Sequence, residues 1–323
     1  VEPGDPVVIL SRNNGAWPVI DMGVLMAAAV TVPIPQGLTP DELVHVLELV
    51  RPRVVFVDAP HNLSRLAAAG QAARQPFERV VVIEDEGIVP TGPRKVDLLR
   101  VADVFDGGEH TWLARYEEFL AHGEEQRVRL GPELIRRREE GLTPESPALV
   151  IFTSGTTGKP KGAQLTHGNL LFEIERLAEV LPISDREEQL LFLPLSHVLG
   201  NVVYRSMFLT GSRMAIGEGA TRLLENLREI NPTWLTAVPS FCEKLADRLR
   251  AAAKERGIPG AVFDWARDAS RERGRGRGKP TTAFEEMGLR LQRAAAERLV
   301  LRRVRSVVGT RLRFLICGGA HLP

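Results

Sequence analysis

Between positions 148 and 162 an apolar run, Leu149-Val150-Ile151-Phe152, empties into Thr153-Ser154-Gly155-Thr156-Thr157-Gly158-Lys159-Pro160-Lys161-Gly162. These residue types in this order suit a polyphosphate. Glycines let main-chain N–H groups turn toward an anion with no Cβ in the way. The hydroxyls of Thr153, Ser154, Thr156 and Thr157 can donate to phosphate oxygens, and Lys159 and Lys161 add positive charge. The Walker A pattern is excluded: it needs four residues between its glycines and Ser or Thr after the lysine, whereas only Thr156 and Thr157 separate Gly155 from Gly158. A plain turn between strand and helix uses the same residue types, so composition alone does not choose between the two.

The whole string does choose. Residues 153–162 match, residue for residue, the phosphate loop of the adenylate-forming superfamily of acyl-CoA synthetases, luciferases and peptide-synthetase adenylation domains. Further resemblances follow in the family's order. Leu165-Thr166-His167-Gly168-Asn169 resembles the start of the helix after the loop. Leu193-Pro194-Leu195-Ser196-His197-Val198 resembles the segment whose histidine or aromatic residue lies by the acyl carboxylate. Val238-Pro239-Ser240-Phe241-Cys242-Glu243-Lys244 is similar to a string of the long-chain fatty acyl-CoA synthetase branch, with Ser240 where that branch usually has Arg. Phe314-Leu315-Ile316-Cys317-Gly318-Gly319-Ala320-His321 resembles the strand and glycine turn beside acyl chain and adenine, with His321 where a small residue or Pro is common.

The resemblance implies a partial N-terminal adenylation domain of stacked mixed β-sheets flanked by helices, in αβαβα layers. It implies ATP, Mg²⁺ and coenzyme A, with a long-chain fatty acid as the acid activated. Thr153, Ser154, Gly155, Thr156, Thr157, Gly158, Lys159, Lys161 and Gly162 would hold the ATP phosphates, Thr156 and Lys161 acting in catalysis. His197 would border the substrate carboxylate, and Gly318, Gly319 and Ala320 would wall the adenine and acyl chain. The family's Tyr-Gly-x-Thr-Glu segment, its ribose-binding Asp and its C-terminal lysine do not occur, and the start resembles a point already inside the family's domain. These residues by themselves are therefore expected to make no acyl-CoA. Other carboxylate ligases, among them fatty acyl-AMP ligases, and a non-catalytic nucleotide-binding module are the competing readings.

The elements that must position these residues alternate. Strand-length apolar runs at 7–10, 54–57, 80–83, 148–153, 190–193, 214–216, 234–238 and 312–317 are separated by stretches of helical period, the pattern of an α/β fold. Val19, Met22, Met26 and Val30 suggest a first helix. Leu43, Val46, Leu47 and Val50, stopped by Pro52, suggest a second. Leu170, Ile174, Leu177 and Leu181 predict a helix after the phosphate loop, Phe241, Leu245 and Leu249 another, and residues 284–308 one long or broken helix. Residues 87–108 and 136–141 read as loops, and 270–280, with its Arg-Gly repeat, as an exposed insertion. The expected division falls between a first α/β portion at 1–141 and a phosphate-loop portion at 148–323.

The remaining composition narrows the class. In 323 residues, 44% hydrophobic, 42 Lys and Arg stand against 41 Asp and Glu, so no global field recruits nucleic acid or an anionic membrane. Cys242 and Cys317 form no Cys-x-x-Cys pair and suggest neither a zinc site nor a disulfide framework, so a reducing cytoplasm is expected. No apolar run reaches membrane-spanning length, although a fatty substrate is compatible with transient contact with a bilayer. Ser196-His197 is not a hydrolase pair, because no Gly-x-Ser-x-Gly elbow is present. Oligomeric state is not legible.

Overall fold

The computed structural model describes residues 1–58, 61–74, 76–83, 113–154, 158–219, 221–274, 283–296, 298, 300 and 308–320. They fall into two compact units, Val1–Ile183 with Phe192–Gly211, and Ser184–Leu191 with Ser212–Pro323. The division expected between 141 and 148 does not coincide with these units, because strands beyond it complete the first unit's sheet.

In the first unit the chain runs β1 (Pro6–Leu10), α1 (Ala16–Met26), β2 (Val30–Pro33), α2 (Pro40–Val50), β3 (Val54–Asp58), α3 (His61–Ala72), β4 (Arg79–Ile83), β5 (Leu113–Arg115), α4 (Tyr116–Leu130), α5 (Glu133–Glu140), β6 (Pro147–Ser154), β7 (Pro160–Thr166) and α6 (His167–Val180). It returns later with α7 (Val198–Thr210). The seven strands lie in the order β5-β4-β3-β1-β2-β6-β7, parallel throughout except for β7. Val8, Ile9 and Leu10 in central β1 are fully buried, as a parallel strand covered on both faces requires. α2 lays Leu43, Val46 and Leu47 on this sheet. Its start is fixed by a capping box: the Thr39 hydroxyl accepts from the Glu42 N–H at 3.3 Å, and the Glu42 carboxylate accepts from the Thr39 N–H at 2.7 Å.

Three expectations are corrected. The buried face of α1 carries Trp17, Ile20, Asp21, Val24 and Leu25, whereas Val19 and Met26 are exposed and Val30 belongs to β2. This helix is apolar nearly all round, so its period does not identify the inward face. Residues 136–140 are helical, part of α5, whose Glu133 pairs with Arg136 at 3.1 Å and Arg137 at 3.2 Å at helical spacing in solvent. Residues 270–274 close a helix of the second unit, while 275–280 and the loop expected at 87–108 lie outside the described residues.

The second unit holds β8 (Glu188–Leu191), β9 (Arg213–Ile216), α8 (Leu223–Ile230), β10 (Trp234–Ala237), α9 (Pro239–Glu255), α10 (Gly260–Gly274), α11 (Ala283–Ala296) and β11 (Phe314–Cys317). Its four parallel strands are ordered β11-β10-β8-β9, with Trp234 stacked on Phe314 at 5.9 Å between centroids. A second core cluster joins Ala253, Ile258, Phe263 and Ala266 to Ala296 and Val300. No helix among the described residues is long and apolar enough to cross a membrane.

Candidate functional site

The phosphate-binding string forms a hairpin. β6 and β7 pair antiparallel, with Thr153 opposite Lys161, Phe152 opposite Gly162 and Ser154 opposite Pro160. A second strand thus stands between loop and helix, where the sequence suggested a direct step from loop to helix. Lys161-Gly162-Ala163-Gln164 carries no apolar alternation because β7 is the sheet's exposed edge, so its pairing left no trace in hydropathy.

Side chains alternate across this hairpin. Thr153 and Lys161 are cross-strand neighbours on the face of Ile151, and both are exposed. Gly158 holds φ at +83°, a conformation that a side chain would strain. Gly162 answers to packing: a Cβ there would come within 2.9 Å of Val150 Cγ1 and 3.4 Å of the Phe152 ring. Gly155, Thr156 and Thr157 lie outside the described residues. Lys159 and Lys161 are exposed and enter no ion pair among the described residues. Residues 159–162 also border a groove of about 590 Å³ whose apolar lining includes Val32, Leu49, Val150 and Phe152, the last two on the face of β6 opposite Thr153.

The helix after the hairpin starts where the motif resemblance expected. The Thr166 hydroxyl accepts from the Asn169 N–H at 3.2 Å, and Asn169 Oδ1 accepts from the Thr166 N–H at 3.1 Å. α6 then buries Leu170 and Ile174. Burial, and secondarily the charge of Arg205, holds the His167 imidazole below its ordinary range.

His197 is in the same unit and is exposed. Its N–H donates to the Pro194 carbonyl at 3.1 Å, and its own carbonyl accepts from the Asn201 N–H at 3.0 Å, opening α7. Sequence reasoning missed the residue that holds this segment. Asn13, just past the carboxyl end of β1, donates through Nδ2 to the Leu193 carbonyl at 2.7 Å and accepts through Oδ1 from the Leu195 N–H at 3.0 Å. Beside it, the Arg12 guanidinium meets the buried Asp58 carboxylate at the end of β3 at 2.9 Å. Strands β2 and β3 flank β1 on opposite sides, so these residues occupy the switch point at which open α/β sheets gather functional groups. The polar run Ser11-Arg12-Asn13-Asn14 directly after a buried strand was the available signal.

The approach of α7 to this segment depends on Gly200, where a Cβ would lie 2.5 Å from the Pro194 carbonyl oxygen and 3.2 Å from that of Leu193. Backbone cannot yield there as a side chain can. Gly200→Ala is expected to destabilise the first unit by about 1–3 kcal/mol, read as a lower urea midpoint with faster amide exchange at residues 195–197. An unchanged midpoint would show that the segment gives way freely.

Gly318, Gly319 and Ala320 belong to the second unit, directly after β11. Gly319 and Ala320 are exposed, and the Gly318 N–H donates to the Ala237 carbonyl at 3.1 Å. Among the described residues no group of three or more His, Cys, Asp or Glu side chains is arranged to hold a metal ion.

A parallel-dominated α/β fold carrying an edge hairpin of hydroxyls, glycines and lysines defines an adenylate-forming enzyme domain. The chain belongs to the AMP-binding enzyme family, whose profile matches residues 1–323. It is 29% identical over 332 aligned positions to the long-chain-fatty-acid–CoA ligase FadD15 of Mycobacterium bovis, covering 100% of this chain and 48% of that protein. It is 26% identical to human long-chain-fatty-acid–CoA ligase 1, covering 98% and 42%. The chain therefore spans less than half the length of these relatives. Among solved structures, the adenylation and carrier didomain of a Segniliparus rugosus carboxylic acid reductase, in complex with AMP, superposes with a TM-score of 0.66 at 17% identity, over 99% of this chain and 39% of that one. That likeness concerns the fold.

Proposed function

We propose that this chain is the phosphate-loop portion of an acid–thiol ligase that activates a long-chain fatty acid with ATP to acyl-AMP and then passes the acyl group to coenzyme A. The observation that supports it most is the β6–β7 hairpin, which sets Thr153 beside Lys161 and leaves both lysines exposed and without ion pairs among the described residues. The similarity to named long-chain ligases supports the substrate class.

A fatty carboxylate is a weak nucleophile, and the α-phosphorus of ATP is shielded by negative charge. Alignment and neutralisation must therefore carry the step in which carboxylate oxygen bonds to phosphorus and pyrophosphate leaves. In this reading residues 153–162 clasp the β- and γ-phosphates, and Lys161 offsets the charge that builds on pyrophosphate. His197 borders the carboxylate, and residues 318–320 form the wall beside adenine. The exposed Thr153 hydroxyl and the Lys159 and Lys161 ammonium groups would face the triphosphate of a magnesium-bound nucleotide. Magnesium would supply further neutralisation of the triphosphate. The reaction would take place in the cytoplasm, with transient contact at a bilayer when the acid is taken up.

Calorimetry on a full-length ligase carrying this segment is expected to register magnesium-dependent ATP binding. Pyrophosphate release across a panel of acids should favour long alkyl chains over short or aromatic ones. Absence of ATP uptake overturns the reading, and a preference for aryl acids overturns the substrate class.

A further inference from the structure

Two sulfur atoms that the proposed reaction does not use meet inside the second unit. Cys242 lies near the start of α9, Cys317 ends β11, and the Cys242 thiol donates toward Cys317 Sγ across 3.6 Å. Sheet pairing produces this meeting of residues distant in sequence. Ala237 is the register partner of Cys317, and α9 begins at Pro239, so the helix rises beside the end of β11. Both thiols are free and half-buried, within reach of a small oxidant, and they are the chain's two cysteines.

We propose that Cys242 and Cys317 form a peroxide-sensitive modification site, a dithiol that oxidises reversibly to an internal disulfide tying α9 to β11 at the edge of the Gly318-Gly319 turn. One sulfur, as thiolate, attacks a peroxide oxygen, the O–O bond breaks, and a sulfenic acid forms as water leaves. The second sulfur then displaces the sulfenic oxygen as a second water. Both sulfurs are oxidised and the peroxide takes up the electron pair, so two thiols and one hydrogen peroxide give one disulfide and two waters. To form the bond the sulfurs close from 3.6 Å to the S–S bond length of about 2.05 Å. Burial, and then the adjoining Cys317, pushes the Cys242 thiol up to about 11, which holds Cys242 as the thiol and slows its own attack on peroxide, so the link rests on the meeting of the two sulfurs. A transient, redox-sensing disulfide is the kind that a reducing compartment allows.

Cys317 directly precedes Gly318 and Gly319, the latter at φ +82°. A bond at Cys317 would restrain the strand end from which this turn leaves. Its bearing on the nucleotide rests on the function proposed above; the cross-link itself does not.

The experiment treats the reduced chain with hydrogen peroxide, blocks remaining thiols and maps peptides without reductant. A linked Cys242–Cys317 peptide is expected, lost on adding dithiothreitol and missing from Cys242→Ser and Cys317→Ser. Amide exchange at Gly318 and Gly319 is expected to slow by about tenfold in the oxidised chain. Singly oxygenated cysteines or cross-links between chains in place of the internal link would overturn the site. A formed link with unchanged exchange would overturn its hold on the turn. No nucleotide enters the assay, so its failure is separate from failure of the ATP calorimetry.

Discussion

Lys161→Ala in a full-length ligase carrying this segment is expected to slow acyl-adenylate formation by about 10²–10³-fold, the loss seen when a group aimed at developing charge is removed. Thr156→Ala is expected to slow it by about tenfold, the worth of one hydrogen bond to a charged group. The structure makes the lysine variant informative. Lys161 is exposed on an edge strand and enters no ion pair among the described residues, so its removal should leave the unfolding free energy within about 0.5 kcal/mol of the parent. Rapid-quench measurement of acyl-AMP gives the rate, and the unfolding curve excludes a collapsed fold. Unaltered adenylation by both variants would remove residues 153–162 from the chemistry.

The second large effect concerns stability. Asp21 on α1 is fully buried, receives the Arg205 guanidinium at 2.8 and 2.9 Å, and accepts from the Tyr204 hydroxyl. Arg205 also donates through Nε to Asn201 Oδ1 at 2.7 Å. Asp21→Ala leaves a buried guanidinium without its counter-charge and is expected to cost about 3–5 kcal/mol by urea denaturation. Asp21→Leu combined with Arg205→Met, which removes both charges, is expected to restore most of that loss, because desolvation of two ions cancels much of their attraction. A double variant as unstable as Asp21→Ala would contradict this account. Burial, outweighing Arg205, raises the Asp21 carboxyl above its ordinary 3.8. A group raised in the fold contributes stability that is complete below its unfolded value and is lost as pH climbs through the folded one. The parent should therefore lose stability from this group as pH rises above 3.8, and the double variant should lack that component.

Legibility in the sequence followed the physical strength of each signal. Val7 to Leu10, Val54 to Val57 and Val80 to Ile83 were readable because a parallel strand buried on both faces must be continuously apolar. α2 was readable because its apolar period and its proline stop agree. Strand β7 was not, since an edge needs no apolar face, and β2 was hidden when Val30 fitted the period of the preceding helix. α5 was hidden because its stabilising pairs are charged. At the site, the phosphate string stood out because its ten residues, taken in order, resemble one family's loop, where residue type alone left a plain turn open. Asn13 did not, because its partners are main-chain atoms at Leu193 and Leu195, distant in sequence and brought near only by the fold.

The path of the chain carries a practical warning for anyone trimming this protein. It leaves the first unit after Ile183 and re-enters at Phe192, bringing Tyr204 and Arg205 to Asp21. A truncation at residue 183 would strand a carboxylate in the hydrophobic interior and forfeit the helix that shields it. Excising the first unit intact calls instead for keeping 192–211 joined to 1–183 in place of residues 184–191 and ending after Gly211.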